Sequence, residues 1–97
     1  MNPELARLRE LIDEIDDRIL ALLNERAARA VEIGAIKSGE GSSVHDPGRE
    51  RLIVERMRGA ARPPLGGEAI GRIFELIVAE TRRLQRGMDG GEGAGGD

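Results

Sequence analysis

One stretch constrains this chain more than any other. Leu5, Leu8, Ile12, Ile15, Ile19, Leu22, Ile33 and Ile36 keep a spacing of threes and fours, the pattern of a single amphipathic helix. Asn2-Pro3-Glu4 opens it with an N-cap residue, a proline at the first helical position and an acid in the first turn. The pattern runs to Lys37-Ser38, where Gly39 is the expected C-cap. A helix of about 35 residues is roughly 50 Å long. A compact globule of 97 residues has a radius of gyration near 12–13 Å, so a diameter of about 33 Å. The helix is too long for its own domain. Its apolar seam must continue against something beyond the chain, and a symmetric second copy is the simplest supply. A homodimer is expected.

The rest of the chain reads as two further helices and a tail. Asp46-Pro47 is a second N-cap with proline behind it, and Leu52, Ile53, Met57 and Ala60 mark a short helix that stops before Pro63-Pro64. After Gly66-Gly67 a third helix of medium length carries Ile70, Ile73, Phe74, Ile77, Val78, Thr81, Leu84 and Met88 on one stripe. Ser38–Ser43 (SGEGSS) reads as a flexible loop, so order in any lid there is expected to be poor without a ligand. Gly87–Asp97 (GMDGGEGAGGD) reads as disordered; the domain is placed at 1–88 and the tail proper at 89–97. Tyr and Trp are absent and Phe74 is the one aromatic, while Leu, Ile, Ala, Glu and Arg abound. That is helix vocabulary. The fold class is all-α with three helices: one long, one short, one medium.

Composition excludes several functions. With 15 Lys+Arg against 18 Asp+Glu, both signs interspersed, no basic surface for nucleic acid is expected. A single aromatic argues against base stacking. The absence of cysteine removes disulfides, thiolate zinc sites and a cysteine nucleophile. The longest apolar run, Ile19 to Leu23, is too short for a membrane span or a signal peptide. A soluble, cytoplasmic protein with a thin core is expected.

The residues that break the pattern matter most. Positions 5, 12, 19, 26 and 33 form one heptad line, and Arg26 alone on it is not apolar. A guanidinium on that seam must meet an anion, either a carboxylate of the chain or a ligand. Arg29 also falls on the seam but can reach the rim by snorkelling. On helix three, Thr81 and Gln85 sit one turn apart on the inward face. The threonine can bond back to a carbonyl one turn earlier. The glutamine amide needs up to four partners, and together they suggest a polar pocket inside a helix bundle. Lys37 lies eleven residues after Arg26, about 20° round the helix and roughly 16 Å along it; it can equally serve the helix C-terminus. Asp46 needs no role beyond its cap, and residues such as Arg49 and Glu50 are more often just surface charges. His45 has no companion ligands, so no metal is assigned to it. Gly34 inside a helix marks the close approach of another backbone.

LRELIDEIDDRILALLNERAARAVEIGAIK, followed by HDPGRE and IFELIVAETRRLQ, closely resembles the all-helical class of chorismate mutases. The resemblance covers roughly residues 4 to 86. It implies three helices per chain in an intertwined homodimer with two sites, acting on chorismate in the shikimate pathway of phenylalanine and tyrosine biosynthesis. Matched residue by residue, Arg9 reaches into the partner's site to hold one carboxylate and Arg26 binds the other. Lys37 and Gln85 donate to the ether oxygen. Asp46, Arg49 and Glu50 match a D-P-x-R-E motif whose glutamate receives the substrate hydroxyl. Thr81 takes a small-hydroxyl position near a carboxylate. The implied reaction is a concerted [3,3] shift to prephenate, which needs no metal, cofactor or nucleophile. A related isochorismate–pyruvate lyase and a non-catalytic helical docking subunit are the alternatives; Glu50 together with both ether-oxygen donors favours the mutase. The glycine-rich tail has no evident family role and leaves open an association with another enzyme of the pathway.

Overall fold

A computed structural model describes residues 2–87. Met88 and the tail at 89–97 lie outside the described residues. Three helices follow in order: α1, Pro3–Gly39; α2, Pro47–Ala60; and α3, Gly67–Arg86. The described residues are helices and connecting turns with no strand, so the all-α expectation holds.

Both expected N-caps are present. Asn2 Oδ1 accepts from the backbone N–H groups of Glu4 (2.8 Å) and Leu5 (3.3 Å). Asp46 Oδ1 accepts from the Arg49 N–H at 3.0 Å, and a proline follows each cap. The end of α1 differs from expectation. Gly39 is its last helical residue, Glu40 is the C-cap, and Gly41 takes the left-handed backbone conformation at φ +77°. The Ser42 N–H donates to the Lys37 carbonyl (2.8 Å) and the Gly41 N–H to the Ser38 carbonyl (3.1 Å). These are the two bonds of a Schellman motif. Gly41 rather than Gly39 carries the stop, because satisfying the last carbonyls needs positive φ two residues further on. The loop is correspondingly shaped: Ser43 Oγ accepts from the His45 N–H (3.3 Å), and Val44 is buried.

The core is thin and lies at one end. Ile53 and Val54 of α2 meet Val78 of α3, with Met57 and Phe74 packed partly against them. Close crossing of α2 on α3 depends on glycine. A Cβ on buried Gly71 would stand 2.9 Å from Arg58 Cγ and Cδ, and one on Gly67 would stand 3.2 Å from the Arg58 carbonyl oxygen. On α1, burial is confined to Ala30 and Gly34.

The first two thirds of α1 touches little. Every residue from 2 to 25 is exposed, including Leu5, Leu8, Leu11, Ile12, Ile15, Ile19, Leu20, Leu22 and Leu23. The radius of gyration is 17.4 Å and the longest axis 57 Å, against the 12–13 Å radius of a compact chain. Helix α1, at about 1.5 Å per residue, accounts for nearly all of that axis. Among the described residues no helix is long and apolar enough to cross a membrane.

Candidate active site

The site lies where the C-terminal part of α1, the Val44 loop, the start of α2 and the end of α3 converge. It is an open cavity of about 410 Å³, within the range of small-molecule sites. Ala30, Ile33, Val44, Ile53 and Val78 form its apolar wall. Arg26, Lys37, Asp46, Arg49, Glu50, Thr81 and Gln85, all singled out from the sequence, line it as well. Arg9 does not, because it belongs to the exposed part of α1.

Helical spacing explains the convergence. Arg26, Ala30, Ile33 and Lys37 recur at fours and threes along one face of α1, and Val78, Thr81 and Gln85 do the same on α3. Two hydrogen bonds between α1 and α3 then fix the polar groups. Arg26 Nη1 donates to Thr81 Oγ1 at 2.8 Å, and Thr81 Oγ1 donates to the Ile77 carbonyl at 2.9 Å. The threonine therefore does bond back along its own helix. Its proton is committed there, so its lone pairs receive Arg26. Arg26 thus meets a neutral hydroxyl in place of the carboxylate that an internal salt bridge would need. Gln85 Nε2 donates to the Ala30 carbonyl at 2.8 Å, which sets the plane of the amide and leaves its second N–H for a ligand.

Asp46 has two jobs. While Oδ1 caps α2, Oδ2 stands 4.0 Å from Lys37 Nζ. The end of α1 and the start of α2 are therefore held together at a cation that faces the cavity. Arg29 reaches the cavity rim with its side chain 66% exposed, its Nη2 2.7 Å from Glu32 Oε2, in keeping with snorkelling. Sequence reasoning missed Arg82. It donates twice to Glu50, from Nε to Oε2 at 3.2 Å and from Nη2 to Oε1 at 3.0 Å. The hydrogen bond and then the charge of Glu50 raise the Arg82 guanidinium above its ordinary value. Nothing in spacing along the chain could have found a pair 32 residues apart.

Chemically, the cavity offers several cations and one amide, that of Gln85, and it suits a small polyanion. Comparison with known proteins identifies the family. The chorismate mutase of Methanocaldococcus jannaschii is 37% identical over 87 residues, covering 89% of this chain and 88% of that protein. The bifunctional chorismate mutase/prephenate dehydratase of Aquifex aeolicus is 41% identical over 86% of this chain, and that of Escherichia coli K12 is 39% identical over 90%. The chain spans 24% and 22% of the length of those two larger proteins. Residues 8–86 match the family described as chorismate mutase type II, and the chain belongs to that family.

Proposed function

We propose that the protein converts chorismate to prephenate in this cavity, and that each site is completed by Arg9 of a second copy. Charge carries the reading. Arg26, Arg29, Lys37 and Arg49 set four cations against the two carboxylates of Asp46 and Glu50. The wall is left with an excess of two positive charges, and Arg9 of a second copy would make three, to receive a substrate with two negative ones.

The rearrangement makes no bond to the protein, so catalysis consists of orientation and electrostatics. Holding the chair-like conformer brings the reacting carbons together. As the C–O bond lengthens ahead of C–C formation, negative charge grows on the ether oxygen. Donors already fixed there favour the transition state over the ground state. Lys37, held near Asp46, and Gln85, held by the Ala30 carbonyl, are the donors in this reading. Arg26 grips one carboxylate in the bidentate manner of a guanidinium, with Thr81 fixing its position. Glu50 accepts from the substrate hydroxyl, and Arg49 adds to carboxylate binding.

The dimer is supported by what α1 leaves uncovered. Nine large aliphatic side chains between Leu5 and Leu23 are 38–63% exposed, and soluble monomers rarely show such a continuous patch. Covering each is worth on the order of 1 kcal/mol. Over two copies that exceeds an association cost of about 4–15 kcal/mol. The bifunctional relatives join a chorismate mutase to a prephenate dehydratase, which supports association with another enzyme of the pathway.

The test is an absorbance assay of chorismate loss with prephenate and pyruvate measured separately. The expected result is stoichiometric prephenate. Pyruvate release from isochorismate in its place would assign the lyase, and no turnover of either substrate would leave a docking subunit.

A further inference from the structure

The pair Glu50–Arg82 differs from most other ion pairs among the described residues. Arg29–Glu32, Arg58–Glu55 and Arg83–Glu80 each join residues three apart on one helix, with largely exposed side chains. Such pairs contribute little. Glu50 and Arg82 join α2 to α3 through two hydrogen bonds, with the glutamate side chain only 21% exposed. Their placement is also asymmetric. Glu50 lies between two spaces and lines both, while Arg82 lines only the one behind the cavity, with Pro47, Val54 and Glu75.

A carboxylate at the wall of a cavity rich in cations has an alternative. Arg26, Lys37 and Arg49 line the same space, and in the absence of substrate their attraction would draw Glu50 inward. It would then occupy the place of a substrate carboxylate. A guanidinium fork behind it opposes this, because two parallel N–H···O bonds fix both oxygens and the plane of the group. The guanidinium stays protonated at any working pH.

We propose that Arg82 is a positioning residue for the reaction: it holds the Glu50 carboxylate against the α2–α3 wall, turned to accept the substrate hydroxyl and kept off the cations that bind the substrate carboxylates. This rests on the mutase reading. Arg82 touches no substrate and acts only through Glu50.

The experiment is a double-mutant cycle on the full chain, with chorismate as the probe. Arg82→Gln should lower kcat/KM about tenfold, the scale of a lost charge-assisted hydrogen bond, with the chain still folded and its helical content nearly unchanged. In the Glu50→Gln background the same substitution should cost less than twofold, since the carboxylate that must be kept off the cations is gone. Arg82→Lys, which keeps the charge but not the fork, should fall between wild type and Arg82→Gln. Equal losses in both backgrounds would overturn the proposal, as would full activity in Arg82→Gln or in Glu50→Gln. Failure of both Arg82→Gln and Arg82→Lys to fold would also overturn it, by making the residue structural. A wild-type chain inert toward chorismate would refute the mutase reading instead.

Discussion

Arg26 and Gln85 are polar groups on faces that should be apolar, and each is explained by one hydrogen bond and one cavity. The sequence pattern exposed both because a break in a regular seam is visible without knowing what lies opposite. It could not say that Arg26 would rest on Thr81 or Gln85 on Ala30, since those pairs are 55 residues apart. Arg82 was invisible for the opposite reason: a cation on the polar side of an amphipathic helix looks like any solvated charge. Lys37, Asp46, Arg49 and Glu50 were ambiguous one by one, and became specific only as a motif that resembles a family. The residue scale also provides the sharpest test of the ether-oxygen donors. Lys37→Ala should lower turnover by two or more orders of magnitude, about 3 kcal/mol, as for other preorganised donors. Gln85→Ala should also lower turnover while leaving helical content intact. Near-wild-type kcat in both variants would show that neither group serves the reacting oxygen.

At the scale of elements, N-termini were more legible than C-termini. A side-chain cap followed by proline is local chemistry, and Asn2-Pro3 and Asp46-Pro47 announce it. A C-terminal stop depends on which residue turns left-handed, and SGEGSS offers two glycines for that job. The structure chooses Gly41 and leaves Gly39 helical, which makes the two positions respond oppositely to alanine. Neither added Cβ would meet an atom within 4 Å, so packing drops out and backbone preference decides. Gly41→Ala should destabilise by about 1–2 kcal/mol, the cost of the left-handed region for an L-residue. Gly39→Ala should stabilise by up to about 1 kcal/mol, since alanine is the better helix former and has a less mobile unfolded chain. Denaturant melts of both variants at one fixed protein concentration would check this, and like signs would contradict the Schellman assignment. The same loop carries Val44 into the cavity wall, so Gly41→Ala should also weaken substrate binding.

The whole molecule is dominated by the mismatch between a 37-residue helix and a small domain. That mismatch was legible from spacing and length alone, because a helix has fixed rise and a compact chain has fixed radius. What the sequence could not show was where the chain's own core would end; the structure locates it in the last third of α1, leaving 2–25 exposed. Arg9 and Lys37 are 28 residues apart on that one helix, roughly 42 Å at ~1.5 Å per residue. A ten-carbon substrate cannot touch both in a single chain. If both serve one site they come from different copies, and Arg9→Ala and Lys37→Ala should each be nearly inactive as homodimers. Unfolded and refolded together, the two variants should pair at random, so half of the dimers are mixed. Two-fold symmetry gives each mixed dimer one site carrying both substitutions and one carrying neither. Activity should therefore return to about a quarter of wild type. Subunit exchange demonstrated by mass-tagged chains, with no recovery of prephenate formation, would exclude Arg9 from the shared site and leave the cavity within a single chain to explain catalysis alone.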